Sequence, residues 1–190
     1  RASDFPLPRE FDMAFAASKQ VIFETDIARM QSLEMQGKVL TEGMFLDGRT
    51  LQDVLTPPTW RAVREYCSKS GLPLSQMSQM KPWLFAITLA MFELQKLGVS
   101  LQGVDLHYHQ LASAAGKKIG ELEPFDRHLA FLTGLGAGRE SEMIAKSIED
   151  VAATPAMLEK LLRAWKEGDL AKLDALMVRE MRTKYPAIYK

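Results

Sequence analysis

Acidic residues follow two short runs that have the composition of β-strands. Glu24 and Asp26 come directly after the apolar run "VIF", and Glu121 and Glu123 end a second run in "KKIGELE". In open α/β sheets, ligands bind at the carboxyl ends of parallel strands. A buried Glu24 could therefore act as a general base or hold a metal-bound water. The alternative is that it caps a helix expected to begin near Ile27.

The segment "DLHYH" places His107 and His109 two residues apart, where the pattern predicts a helix over residues 106–115. Residues two apart on a helix point about 200° from each other. Metal-binding helices use a four-residue spacing instead. The pair is therefore not expected to bind a metal by itself. His107 is a candidate for lining a functional cleft, as is His128 in "FDRHLAFL", and the alternative for both is a surface or capping role.

Other chemistry-bearing motifs are few. The single cysteine, Cys67, cannot form an internal disulfide, and its helical spacing from Trp60 and Val63 predicts a half-buried helix position. The sequence contains no GxSxG, P-loop, strand-linked GxGxxG, HExxH or paired cysteine ligands. The glycine-rich "TGLGAGRE" follows an apolar helix, so it predicts a helix-to-helix turn.

The composition of the chain limits the classes of partner that we expect it to bind. Lysine plus arginine and aspartate plus glutamate both number 24 in 190 residues, so a nucleic-acid partner is not expected. The longest apolar candidate, "PWLFAITLAMFEL", ends at Glu93, which is short of the ~20 residues that span a bilayer. A hydrophobic content of 47% is sufficient for one sizeable core, so we expect a single domain over residues 1–190.

The elements that must position these residues are mostly helices. Apolar spacing, prolines and glycines predict about eight or more of them, with "TPPTWRAVREYCSKSG" the clearest. "KQVIFETD" predicts a buried parallel strand, "KKIGELE" a second strand and "EGMFLDGRT" a possible short hairpin. The Thr-Pro step at 154–155 predicts a boundary between two helices. We expect an α/β fold, predominantly helical, with a small, mostly parallel sheet of about two or three strands.

That strand number is low for a parallel sheet, which is usually buried on both faces. Because the chain also begins with Arg1 rather than methionine, we expect it to be the middle portion of a longer protein whose flanks complete the sheet. Uncovered strand edges and apolar faces then predict a homodimer. A periplasmic or secreted location and a cytoplasmic one are both compatible with the sequence.

Five segments, in order, resemble the TraB/GumN family: "AFAASKQVIFETD", "LQDVL", "QMKPWLFA", "GVDLHYHQLASAAGKKIGELE" and "LLRAWKEGDLAKLDALM". Relatives of that family include the Tiki proteins and, more distantly, erythromycin esterase and ChaN. The resemblance covers essentially the whole chain. It implies a metal-dependent, peptidase-like hydrolase that acts on a peptide or small-molecule substrate. Two GxxH motifs, acidic residues and a divalent ion such as Mn²⁺, Co²⁺ or Zn²⁺ would form its site.

The same resemblance assigns site residues. It maps the family's first acidic position to Glu24, the glutamate of "LE" to Glu123 and the histidine of "GVDLH" to His107. It places one GxxH motif before Arg1 and the other beyond Lys190, and this sequence contains neither. Since a zinc-like site needs about three protein ligands, we expect these 190 residues alone to bind catalytic metal poorly and to hydrolyse nothing. The alternative is a non-catalytic module whose helical groove binds a peptide or a haem-like ligand held by a histidine such as His107.

Overall fold

The computed structural model describes residues 5–99, 103–179 and 182–183. The chain forms two compact units, Arg1–Ile148 and Glu149–Lys190. Both strands that are found within those ranges belong to the first unit, and the described part of the second unit is helical. The candidate site residues all lie in the first unit.

A two-stranded parallel sheet is formed by β1 (Gln20–Phe23) and β2 (Lys118–Glu121), with Gln20 opposite Lys118 and Phe23 opposite Glu121. The predicted parallel pair is thus confirmed. Burial of β1 is one-sided, however, since Phe23 is buried and Ile22 is 54% exposed. Successive side chains of a strand point to opposite faces, and the Phe23 face is the one that packs on a buried cluster. The expectation of a fully buried strand is therefore wrong.

The helical content confirms a predominantly helical α/β fold. Eleven α-helices are found among the described residues: α1 (Arg9–Ala17), α2 (Ile27–Met30), α3 (Leu33–Gly43), α4 (Leu51–Val54), α5 (Pro57–Ser70), α6 (Leu74–Met77), α7 (Pro82–Lys96), α8 (Val104–Ala114), α9 (Phe125–Thr133), α10 (Glu140–Glu167) and α11 (Leu170–Leu173). A π-helical segment, Asp174–Arg179, follows α11. The connection from β1 to β2 therefore contains the helices α2 to α8.

Local chemistry explains where several helices begin and end. The Oγ of Ser32 accepts a hydrogen bond from the backbone N–H of Met35 at 3.2 Å, which caps the start of α3. Asp53 accepts one from the N–H of Thr50 at 2.7 Å and closes a capping box at α4. Gly71 ends α5 with a φ of 73°, a left-handed conformation that glycine adopts at little cost. The predicted glycine stop of α5 is therefore confirmed, whereas Thr56 occupies the predicted cap position but its side chain makes no capping hydrogen bond.

Two buried clusters hold the first unit together. One contains Met35, Trp83, Phe125 and Leu129, and the other contains Leu7, Phe23 and Tyr108. The first cluster joins α3, α7 and α9, and the second joins the amino-terminal segment, β1 and α8. Both α8 and α9, which flank the strand ends, are therefore anchored by apolar burial, the dominant favourable contribution to folding.

The predicted hairpin in "EGMFLDGRT" does not form. Helix α3 continues to Gly43, and Met44 then makes an isolated antiparallel bridge with Met80. The N–H of Phe45 donates to the carbonyl of Gln79 at 2.8 Å, so this segment pairs with the residues before α7. The prediction is wrong because that distant segment supplies the hydrogen bonds that a hairpin would have made locally.

The predicted helix boundary at Thr154 and Pro155 is also wrong, because α10 continues through both residues. Proline lacks an N–H and removes one helical hydrogen bond. The Thr154 hydroxyl nevertheless donates to the carbonyl of Asp150 at 3.0 Å, in the turn that precedes the proline. A proline after a threonine is therefore accommodated inside this helix instead of ending it.

Helix α7 contains the apolar stretch "PWLFAITLAMFEL" and contributes four buried residues to the core. Its buried residues are Pro82, Trp83, Phe85 and Leu89, and Phe85 and Leu89 are fully enclosed. Among the helices of the described residues, none has the length and apolar character needed to cross a bilayer. The long apolar stretch of this chain therefore serves the protein core.

Two glycines of α3 provide a matched stability test. A Cβ added at Gly43 would lie 2.6 Å from Cδ2 of Leu84 and 3.1 Å from Cζ2 of Trp83, whereas one at Gly37 would meet nothing within 4 Å. We expect Gly43→Ala to lower the free energy of unfolding by about 1–2 kcal/mol through overpacking. Gly37→Ala should raise it by about 0.5–1 kcal/mol, because alanine favours the helix. Urea denaturation of both variants checks this, and equal changes of the same sign would contradict it.

A hydrogen bond between α5 and α7 predicts a pH effect. The Tyr66 hydroxyl donates a hydrogen bond to the Glu93 carboxylate, which also accepts one from Nζ of Lys96 at 3.0 Å. Burial and that bond raise the pKa of Tyr66 from 10.0 to about 12. Burial alone would raise the pKa of Glu93, but the two hydrogen bonds outweigh it and lower that pKa.

Since the Tyr66 pKa is raised on folding, its contribution to stability is present below pH 10.0 and is lost as the pH rises to about 12. The difference in free energy of unfolding between wild type and Tyr66→Phe should therefore be largest below pH 10.0 and shrink towards about pH 12. Denaturation curves across that range measure it. A difference that is constant with pH would contradict the assignment.

Candidate functional site

The carboxyl ends of β1 and β2 meet at one edge of the sheet. Backbone pairing continues one residue or more beyond each strand, since the N–H of Leu122 donates to Phe23 and that of Glu123 donates to Glu24, each at 2.9 Å. Glu24 and Glu123 therefore lie side by side along the backbone although they are distant in sequence. Glu24 lines the cleft at this edge, and Glu123 reaches it through its contact with His128, which also lines the cleft.

Asp26, rather than Glu24, caps the helix that follows β1. Its carboxylate accepts a hydrogen bond from the backbone N–H of Arg29 at 2.9 Å, which satisfies one of the free donors at the start of α2. Glu24 is exposed, and its carboxylate has no hydrogen bond or ion pair with any described residue. Of the two acidic residues after β1, Glu24 is the one left available for chemistry.

Glu123 is held by the first turn of α9. Its Oε2 lies 3.3 Å from Nδ1 of His128, and its Oε1 lies 3.4 Å from Nε of Arg127. In the tautomer whose Nδ1–H donates a hydrogen bond to Glu123, Nε2 of His128 is left as a hydrogen-bond acceptor. A glutamate that orients an imidazole in this way resembles the arrangement in which a histidine accepts or delivers a proton.

A second set of charges fixes the start of α9. Asp126 pairs with Lys38 of α3 and with Arg29 of α2, the latter at 3.3 Å. The hydrogen bond from Lys38 is the largest cause that lowers the pKa of Asp126. These side chains are exposed, so each pair adds little stability. Their geometric effect is to join α2, α3 and α9 around the strand ends.

A cleft of about 340 Å³ opens beside these strand ends. Its apolar lining comes from Phe23, Ile27, Met30 and Leu106, and its polar lining includes Glu24, Thr25, Asp105 and His128. None of the residues found to line it is a lysine or arginine. The cleft therefore combines an apolar wall with an acidic rim.

Thr25 is a site residue that the sequence analysis did not single out. It is 7% exposed, lines the cleft, and its Oγ1 is buried with no hydrogen-bond partner in the described part of the chain. Buried hydroxyls are usually paired, and an unpaired one is costly. The one signal available in sequence was a hydroxyl next to Glu24 at the end of an apolar strand.

The histidines of "DLHYH" lie in different surroundings. The ring of His107 is edge-on to Phe5 at 5.0 Å, and that of His109 is tilted against Phe23 at 5.5 Å. Neither residue is among those that line the cleft, whereas His128 is. The structure therefore brings Glu24, Glu123 and His128 to one edge of the sheet, and His107 is placed outside that group.

The family model for TraB/PrgY/gumN matches residues 1–190. The chain belongs to the TraB/PrgY/gumN family. No curated protein and no solved structure matches the chain. Family membership confirms the resemblance drawn from the motifs.

The metal that the TraB/PrgY/gumN resemblance implies can be compared with the donors at this edge. Over residues 5–99, 103–179 and 182–183, no group of three or more histidine, cysteine, aspartate or glutamate residues is arranged to hold a metal ion. Structural and catalytic zinc-like sites use three or four protein ligands. The described residues thus do not form a complete metal site by themselves.

Thr25 and Thr59 make a matched pair for testing the unpaired hydroxyl. Both are 7% exposed, but the Thr59 hydroxyl lies 3.0 Å from that of Thr56, whereas the Thr25 hydroxyl has no partner among the residues that the structure describes. Thr25→Val should leave the free energy of unfolding unchanged or raise it by about 1 kcal/mol, because it removes a buried, unpaired polar group. Thr59→Val should lower it by about 1 kcal/mol. Chemical denaturation compares them, and destabilisation by Thr25→Val as large as that by Thr59→Val would show that the hydroxyl is paired.

Proposed function

We propose that this chain supplies the general base and the substrate cleft of a metal-dependent, peptidase-like hydrolase of the TraB/PrgY/gumN type. The observation that carries the proposal is the Glu24 carboxylate, which is unpaired within the described ranges and lies at the end of β1, on the rim of a cleft of about 340 Å³. Open α/β sheets place their ligands at this edge. The match to the family over residues 1–190 supports the same class of reaction.

Glu24 is assigned the proton transfers. Its carboxylate takes a proton from a water molecule as the water oxygen bonds to the carbonyl carbon of a scissile amide. The protonated Glu24 returns the proton to the amide nitrogen as the carbonyl re-forms and the C–N bond breaks, which yields a carboxylic acid and an amine, and the acid then passes its proton to the amine. The exposure of Glu24 and its freedom from ion pairs leave it able to meet both water and substrate.

Glu123 and His128 are assigned a positioning role. The contact of 3.3 Å between them fixes the imidazole at the cleft, and the bond of Glu123 N–H to the Glu24 carbonyl ties the pair to the general base. His107, which the resemblance maps to the site, stays a prediction and is given no proton transfer, because its ring lies against Phe5. The metal ligands are proposed to come from outside the described residues, as the resemblance implies for the GxxH histidines.

The proposal is tested with the full-length protein that contains this chain, after metal is stripped and Mn²⁺, Co²⁺ or Zn²⁺ is added back. We expect metal-dependent cleavage of peptides, reduced by roughly 10²- to 10⁴-fold in Glu24→Gln. Glu65→Gln is the matched control, because Glu65 is an exposed carboxylate on α5 outside the cleft. The 190-residue chain alone should show no cleavage under the same conditions.

Two results would overturn the proposal. Full activity in Glu24→Gln would show that Glu24 is not the general base. The absence of cleavage with every metal by a folded full-length protein would show that the protein is not a peptide hydrolase. The second result would favour the alternative, a non-catalytic module that binds a peptide or a haem-like ligand. Circular dichroism of each variant separates loss of chemistry from loss of folding.

A further inference from the structure

We infer that the cleft at the strand ends binds a primary ammonium group carried on a short apolar chain, with Thr25, Asp105 and His128 among its polar contacts. As a substrate subsite this inference rests on the proposed function. Binding itself requires no cleavage, so it can be measured when hydrolysis is absent. The inference follows from the balance of donors and acceptors, from one buried hydroxyl and from the apolar wall.

The charged lining of the cleft is anionic, and its other polar side chains are Thr25, Gln31 and His128. Glu24 and Asp105 contribute carboxylates, neither of which is paired with a described residue, and no lysine or arginine lines the cleft alongside them. His128 adds an acceptor at Nε2 when its Nδ1 donates to Glu123. The two carboxylates, with no cation among the residues found to line the cleft, favour an occupant that carries positive charge and hydrogen-bond donors. A primary ammonium group has three donors and no acceptor.

The Thr25 hydroxyl is independent evidence for a ligand. Thr25 is buried to more than nine-tenths, yet its Oγ1 has no partner within the described ranges and the residue lines the cleft. Leaving such a group unpaired is unfavourable unless a bound molecule satisfies it. The oxygen itself is covered in the unliganded protein, so a rotation about χ1 of Thr25 would bring it to the cleft, where it can accept one hydrogen bond of an ammonium group. The buried hydroxyl is thus an observation separate from the exposed carboxylates at the rim.

The apolar wall defines the rest of the ligand. Ile27, Met30 and Leu106 line the same cleft of about 340 Å³, beside Phe23. A bare inorganic cation would use none of this surface. An alkyl chain of a few carbons attached to the ammonium group would bury it, which favours binding in proportion to the apolar area removed from water. Methionine also adapts its shape to different chains.

The first experiment is an NMR titration of the metal-stripped full-length protein, labelled at isoleucine and methionine methyl groups. Pentylammonium should shift the Ile27 and Met30 signals saturably. The neutral analogue 1-pentanol should bind at least about tenfold more weakly, since it lacks the charge-assisted hydrogen bonds. Equal affinity for the two compounds would overturn the inference, and so would the absence of any shift with pentylammonium.

Variants then test the assigned contacts. Thr25→Val and Asp105→Asn should each weaken pentylammonium binding by roughly tenfold while leaving that of 1-pentanol unchanged. Glu65→Gln, on α5 and away from the cleft, should bind like wild type. Loss of affinity for both compounds alike would show a change in cleft shape rather than loss of an ammonium contact, and would overturn the assignment.

A last comparison identifies the source of the ammonium group. Leucinamide presents a peptide amino terminus, Nα-acetyl-lysinamide presents a lysine side chain, and N-acetyl-leucinamide presents neither. We expect the blocked compound to bind at least about tenfold more weakly than the better of the other two. If the blocked compound binds as well as both, the ammonium requirement is wrong. Binding by any free amine with no cleavage of peptides would uphold the subsite and reject the hydrolase.

Discussion

Backbone pairing at the ends of β1 and β2 is the interaction on which the candidate site depends. Glu24 and Glu123 are joined by a bond of 2.9 Å from the N–H of one to the carbonyl of the other. Parallel strands require a long crossover between them, and here that crossover contains the central helix α7 and the whole of α8. The backbone positions of Glu24 and Glu123 are therefore set by the packing of most of the first unit, and loss of strand register would separate them.

The division of tasks between Asp26 and Glu24 shows how a short segment can serve both folding and chemistry. A helix start leaves backbone donors unsatisfied, and Asp26 satisfies one of them at 2.9 Å. Because Asp26 already caps α2, Glu24 is not needed as a cap. Thr25 between them turns into the protein and is buried. Three consecutive polar residues thus face three environments, which are a helix terminus, a buried wall and an open rim.

Much of this arrangement could be predicted from the sequence because its causes are local. The apolar run before Glu24, the proline and glycine limits of α5 and the spacing of His107 and His109 depend on residues only a few positions apart. The bridge between Met44 and Met80 and the pairing of His128 with Glu123 across the start of α9 are different. The bridge between Met44 and Met80 depends on packing between segments that are distant in sequence. The contact between His128 and Glu123 joins residues five apart, but it depends on the direction in which α9 leaves the sheet.

The unpaired Thr25 hydroxyl illustrates the limit most clearly. Its sequence neighbours give no indication that it lacks a partner, because the partner would have to come from α2, α8 or α9 as they surround the cleft. An unpaired buried oxygen weakens the folded state, and a bound ligand that pairs with it would recover that free energy. A site with this property is stabilised by its ligand more than a fully satisfied pocket would be. Folding and recognition are therefore coupled at this single oxygen, next to the carboxylate to which we assign the chemistry.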